Sequence, residues 1–273
     1  MTKTYEVRPG QSIELLKELH ILTRDGKMNQ DSRRKLKQVY HLFQFIEPLL
    51  AEALSEHADV TLVDHGAGKS YLGFLLYDLF FKEVAKEGKI WGIETREELV
   101  VRSTELAQRL GFKGMSFLNQ SVIESLQSEQ LPDRIDIVTA LHACDTATDD
   151  AIRFAIKKKA KHIVVVPCCQ AEVASALRKN KGKILANSAA SELWRHPIHT
   201  REFGSLITNA LRCLQLESYG YQVTVTELVG WEHSLKNELI IASYKNVSRS
   251  CPKQRLAALL EIAGLNELAD RFA

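Results

Sequence analysis

The stretch from Val60 to Phe80, VTLVDHGAGKSYLGFLLYDLF, decides how the rest of the chain is read. An apolar run, 60–64, ends at Asp64. The glycine turn Gly66-Ala67-Gly68 follows, and then a second apolar run at helical spacing. Strand, glycine turn and helix in that order open a nucleotide-type crevice. Three ligands compete for such a turn: a triphosphate, a dinucleotide or a sulfonium cofactor. Gly68-Lys69-Ser70 looks like the end of a phosphate-binding loop. That loop needs a small residue five places before its last glycine, and here the place is Val63, inside the strand. A dinucleotide turn wants a third glycine where this chain has Tyr71. Asp64 would repel a pyrophosphate and attract a sulfonium and an ammonium group. Glu94 ends the next strand, in IWGIE, about one βαβ unit downstream. A carboxylate there accepts from ribose hydroxyls. The sulfonium cofactor is the best match.

Outward from this turn, the pattern predicts strands at 60–64, 89–94, 115–118, 134–140 and 161–166. Helices are expected between them at 70–86, 96–110, 121–127 and 147–158. Alternation of this kind means parallel strands with right-handed crossovers. Before it, helices are predicted at 11–25 and 29–56, the second with Leu36, Val39, Tyr40, Phe43, Ile46 and Leu50 at helical spacing. After it, a helix over about 200–217 leads to strands 221–229 and 238–245. Their short connection makes them antiparallel. A helix over 253–262 and a short tail, 266–272, close the chain. The expected domains are a helical extension over 1–57, the α/β domain over 58–248 and a helical tail over 249–273.

With 273 residues, 45% of them apolar, the chain can bury a substantial core. A net charge of +2 neither demands nor excludes an anionic partner. The five cysteines have no regular spacing and form no Cys-x-x-Cys pair, so neither a disulfide framework nor a metal site is expected. Without a signal-like start or a membrane-length apolar run, the expected location is cytoplasmic, with no membrane partner.

These features, together with LNQS (118–121), LHACDTATDDAI (141–152), VVVPCCQAE (164–172) and YGYQVTVTELVGWEHSLKNELIIA (219–242), resemble a class I S-adenosylmethionine-dependent methyltransferase. The likeness runs from about Val60 to Tyr244. It implies a Rossmann-like α/β fold whose seven-stranded sheet has an antiparallel last strand. The later blocks are similar to a subgroup that includes tRNA ribose 2′-O-methyltransferases with Cys-Cys-His motifs and uncharacterised bacterial proteins. Pro167-Cys168-Cys169-Gln170 departs from the Cys-Cys-His-His-type run of those tRNA enzymes. The resemblance implies S-adenosylmethionine as cofactor and RNA as partner. The alternatives are methylation of a small molecule or protein, and an inactive cofactor-binding scaffold.

The expected cofactor residues are Asp64, Gly66, Gly68, Tyr71, Glu94, Asn119, Gln120 and Ser121. Tyr71 reads equally as a helix-start residue packed on the sheet. Ser121 and Glu124 have the spacing of a capping box, a role compatible with cofactor contact. The expected substrate-side residues are His142, Asp145, Cys168, Cys169 and Gln170, on two loops that follow adjacent strands. His142 or Asp145 would take a proton from a hydroxyl nucleophile. Each cysteine alone reads as a small buried apolar residue, whereas the set reads as a substrate pocket. Lys157, Lys158, Lys159 and Lys161 read as a solvated helix end, and so does the DSRRKLK run (31–37), unless the extension carries substrate contacts.

Overall fold

The computed structural model describes residues 6–141, 143, 145–167, 171–180, 192, 195–228, 238–247 and 251–273. The strands are β1 (Thr61–His65), β2 (Lys89–Glu94), β3 (Met115–Asn119), β4 (Ile137–Leu141), β5 (His162–Val166), β6 (Tyr221–Glu227) and β7 (Glu238–Tyr244). They form one seven-stranded sheet in the order β3-β2-β1-β4-β5-β7-β6. The first five are parallel, and β7 runs antiparallel to both β5 and β6. This is the Rossmann-like sheet expected from the alternation and from the short final connection. β1 lies between β2 and β4, where the strand order reverses, so a crevice opens beyond its carboxyl end.

The helices are α1 (Ile13–Glu18), α2 (Gln30–Glu56), α3 (Tyr71–Leu76), α4 (Glu97–Arg109), α5 (Val122–Ser125), α6 (Thr146–Lys157), α7 (Ala171–Lys179), α8 (Pro197–Ser218) and α9 (Pro252–Ile262). Successive strand residues point to opposite faces. Leu62, Ile90, Ile137 and Val164 therefore pack on one side with α2 and α3 through Phe43, Ile46, Leu50 and Phe74. Val63, Ile93, Val138 and Ile163 pack on the other with Ile152, Phe154 and Leu216 of α6 and α8. Strands buried on both faces read as continuous apolar runs, which is why β1 and β5 were so plain in the sequence.

α2 is part of this core rather than an appendage, since four of its side chains share a cluster with β1 and β2. Its far end is tied to the sheet by Lys161, whose Nζ lies 3.1 Å from Glu52 and 2.6 Å from Glu56. Lys161 is thus a buried-side clamp and not a member of a solvated helix end. α1 is shorter than the expected 11–25. It is pinned where α3 runs into a π-turn (Tyr77–Phe81). There the buried Asp78 accepts from the Ser12 N–H at 2.9 Å and from Lys82 Nζ at 3.2 Å. The pattern had also missed α7, which follows the Cys168-Cys169-Gln170 segment directly.

Candidate cofactor-binding and catalytic site

The glycine turn is built as a cradle. Gly66, Gly68 and Ser70 have φ of +63°, +58° and +50°, so three alternate residues sit in the left-handed region. A side chain at Gly66 would be strained there, and its Cβ would stand 3.5 Å from that of Ala143. The turn leaving β1 therefore lies close against the loop leaving β4. Ser70 adopts the same region without glycine's freedom, a local cost of the kind found at ligand-binding turns.

Glu94 anchors this cradle. Its carboxylate accepts from the Gly68 N–H at 2.8 Å and from the Arg96 N–H at 3.0 Å. The Arg96 guanidinium adds Nε at 3.0 Å and Nη2 at 3.2 Å. Burial alone would raise the Glu94 pKa, but these donors outweigh it and hold the carboxyl below its usual value. The Arg96 side chain is 60% exposed, so it can leave without breaking a core contact.

Asp64 is different. It is buried, and Thr139, its register partner on β4, donates to Oδ1 at 2.6 Å. It has no cationic partner among the described residues. Burial pushes its pKa up to about 7, against the lowering effect of the Thr139 bond. His65 beside it is fully buried on the other face, edge-on to Phe154 at 4.3 Å. Burial pushes it down to about 3, so it is neutral.

Around the rim, Asn119 Nδ2 donates to the Glu94 and Thr95 carbonyls at 3.1 and 2.8 Å, so it braces the loop after β2. Gln120 N–H donates to the Glu94 carbonyl at 3.2 Å. Ser121 forms the capping box with Glu124. Tyr71 opens α3 and is 39% exposed, while partial burial raises its phenol pKa to about 12.

A family model described as a methyltransferase domain matches residues 34–176, just over half of the chain. The chain belongs to this methyltransferase family. Curated relatives include the glutathione S-transferase C-terminal domain-containing proteins of Bos taurus and Homo sapiens, 23% and 24% identical over 235 residues. Each match covers 80% of this chain and 34% of the relative, so the chain spans about a third of their length. Among solved structures, a putative O-methyltransferase from Klebsiella pneumoniae superposes with a TM-score of 0.48 at 12% identity, covering 87% of this chain and 92% of that one. Precorrin-6y C5,15-methyltransferase from Geobacter metallireducens gives 0.44 at 17%, covering 74% and 88%. Family and sheet order together make this a class I methyltransferase fold.

Of the residues expected on the substrate side, His142, Cys168, Cys169 and Gln170 lie outside the described residues. Asp145 is described and is held tightly. Its φ of +51° and ψ of −120° are costly for a residue with a Cβ. Its carboxylate accepts from the Glu172 N–H at 3.2 Å, at the start of α7. Its carbonyl accepts from Arg212 Nη2 at 3.0 Å. Arg212 is fully buried and also donates to Asp149 at 2.6 Å and Asn209 at 3.1 Å. Asn209 continues to Glu238 of β7 at 2.8 Å. This network fastens the loop after β4 to the start of α7 and, through α8, to β7. Thr139, Arg96 and Arg212 were missed in the sequence. The available signals were a threonine inside the apolar IVTAL, an arginine two places after Glu94 and an arginine on the apolar face of α8. Among the described residues, no three His, Cys, Asp or Glu gather to hold a metal, and no helix is long and apolar enough to cross a membrane.

Proposed function

We propose that the chain is an S-adenosylmethionine-dependent methyltransferase acting on RNA. The observation that carries the cofactor is Asp64, a buried carboxylate without a cation, beside a left-handed glycine cradle anchored by Glu94. A buried carboxylate needs compensation. A ligand with a fixed sulfonium charge and an ammonium group supplies it, and a pyrophosphate would make the imbalance worse. When bound, the cofactor supplies an electrophilic methyl group.

The chain's own residues then have separate tasks. Asp64 holds the positive end, and Gly66 and Gly68 let the backbone approach closely. Glu94 exchanges Arg96 for ribose hydroxyls while keeping its bond to Gly68. Asn119, Gln120 and Ser121 fix the rim beside the base, and Tyr71 closes the crevice from α3. Asp145 works as a positioning residue, since its carboxylate is already spent on the α7 N-terminus. That leaves His142 as the candidate proton acceptor. Cys168, Cys169 and Gln170 shape the pocket for the methyl acceptor. RNA is favoured by the resemblance of the later blocks to tRNA-modifying enzymes, and by Arg33 and Lys37, exposed and without an ion pair among the described residues.

Calorimetry tests the cofactor directly. S-adenosylmethionine and S-adenosylhomocysteine should both bind and raise the melting temperature. Binding of NAD or ATP with neither of these would refute the assignment. Comparing RNA modifications by mass spectrometry in cells with and without the protein tests the substrate class.

A further inference from the structure

Opposite the crevice, where β5 begins, the ends of α6, α8, β6 and β7 enclose a cavity of about 710 Å³. Its principal walls are Tyr219, Tyr221, Tyr244, Lys157, Lys159 and Arg153. Tyr221 is buried and donates its hydroxyl to the Ala160 carbonyl at 2.7 Å, so its ring is a fixed floor. Tyr244 stands edge-on to that floor at 5.4 Å and is 47% exposed. Tyr219 is 42% exposed. It also borders a second cleft of about 490 Å³, where Lys253 Nζ lies 6.0 Å from its ring centroid.

The charged side chains that line the larger cavity are all cationic, and Lys157 and Lys159 make no ion pair with a described residue. The nearby acids are taken: Asp150 by Arg153 at 3.3 Å, and Glu217 by Arg255 at 3.2 Å. The Ala273 main-chain oxygen closes one side and accepts from Gln215 Nε2 at 3.3 Å. Lysines alone would suit any polyanion. Exposed ring faces beside lysines suit one whose bases are free to stack. A duplex hides its base faces, and a membrane calls for protruding rather than recessed apolar groups.

We propose that this face binds single-stranded RNA, with bases stacked on Tyr219 and Tyr244 and phosphates on Lys157 and Lys159. This deepens the RNA reading above and rests on it. The five residues of β5 separate the two edges by about 13 Å. A nucleotide stacked on this face is therefore not the one presented to the crevice.

The test is fluorescence anisotropy with a labelled, unstructured 20-nucleotide RNA, with S-adenosylhomocysteine calorimetry and a thermal melt on every variant. Tyr219→Ala and Tyr244→Ala should each weaken RNA binding about ten-fold, while Tyr244→Phe keeps it, because the phenyl face still stacks. Lys157→Ala with Lys159→Ala should lower the slope of log affinity against log salt by about 1.4. S-adenosylhomocysteine affinity should not change, and every variant should still melt in one cooperative transition. Unaltered RNA affinity in the folded alanine variants overturns the proposal, as does the absence of RNA binding by the wild type. Equal, Tyr244-dependent binding of poly-glutamate or phosphatidylserine vesicles overturns it too. Failure of the cofactor assignment would instead appear as no S-adenosylhomocysteine binding, leaving the RNA titration readable.

Discussion

At the scale of the residue, Asp64 sets the pH behaviour of the crevice. An unfolded aspartate has a pKa near 3.9, and burial raises the folded value to about 7. The folded state therefore holds the proton more tightly. The associated stability is full below pH 4 and is lost as pH rises through 7, at most about 4 kcal/mol. Asp64→Asn removes this titration and leaves an oxygen for Thr139. Measured by urea unfolding, the variant should gain about 2–4 kcal/mol on the wild type between pH 4 and pH 8, and a flat difference would show that Asp64 is not strained. Cofactor binding should have the opposite dependence, because a cationic ligand favours the ionised carboxylate. Wild-type affinity for S-adenosylmethionine should tighten about three- to ten-fold from pH 5.5 to 7.5, with no such trend in Asp64→Asn. Glu94→Ala should weaken the same ligand by roughly 1.5–3 kcal/mol, since it removes acceptors for charge-assisted hydrogen bonds and releases the Gly68 N–H. Calorimetry that finds its affinity unchanged would leave Glu94 a purely structural brace.

Among the elements, those that were legible were those governed by a single periodicity. The parallel strands each had a short apolar run at their centre, and α2, α4 and α6 kept a helical stripe, so their ends fell within a few residues of the observed ones. The capping box at Ser121 was legible because its partners are local. α7 was not, because Ala171–Lys179 is short and begins without a capping residue that stands out. The π-turn after α3 depends on Asp78 reaching the Ser12 N–H, a contact no window of sequence contains. The same holds in the site. Asp64, Gly66, Gly68 and Glu94 were visible because strand ends and glycine spacing mark them, whereas the Arg212 network joins α6, α7, α8 and β7 from distant positions. That network makes its own prediction. Arg212→Met strands the buried Asp149 carboxylate and should destabilise the fold by about 3–5 kcal/mol in urea. Adding Asp149→Leu removes the stranded charge and should recover most of that loss. A double variant as unstable as the single one would mean that the Asp145 carbonyl and Asn209, not the charge, hold the loops.

For the molecule as a whole, the proposed RNA binding can be tested at the start of α2 as well as where β5 begins. α2 runs from Gln30 to Glu56, and its last turns meet Lys161 and Lys245 at the edge where β5 begins. From Glu52 back to Arg33 the helix rises roughly 28 Å, more than the height of the strands. Its basic start packs beside α1 and α3, where Leu36 shares a cluster with Leu16, Ile21 and Leu75. The four cations there are not equivalent. Arg34 and Lys35 are already paired with Asp31 at 2.6 and 2.8 Å, and Lys35 also donates to the His20 carbonyl. Arg33 and Lys37 are exposed and make no ion pair with a described residue. A phosphate can take them without displacing a protein carboxylate, and phosphate contacts act through released counterions. Arg33→Ala with Lys37→Ala should weaken RNA binding about five- to twenty-fold at low salt, less at high salt, with S-adenosylhomocysteine affinity unchanged. Arg34→Ala with Lys35→Ala should do less, because each loses part of its gain to Asp31. RNA titrations at two salt concentrations decide it. If Arg33→Ala with Lys37→Ala binds as the wild type does at low salt, the start of α2 is a solvated face and the RNA path must run elsewhere.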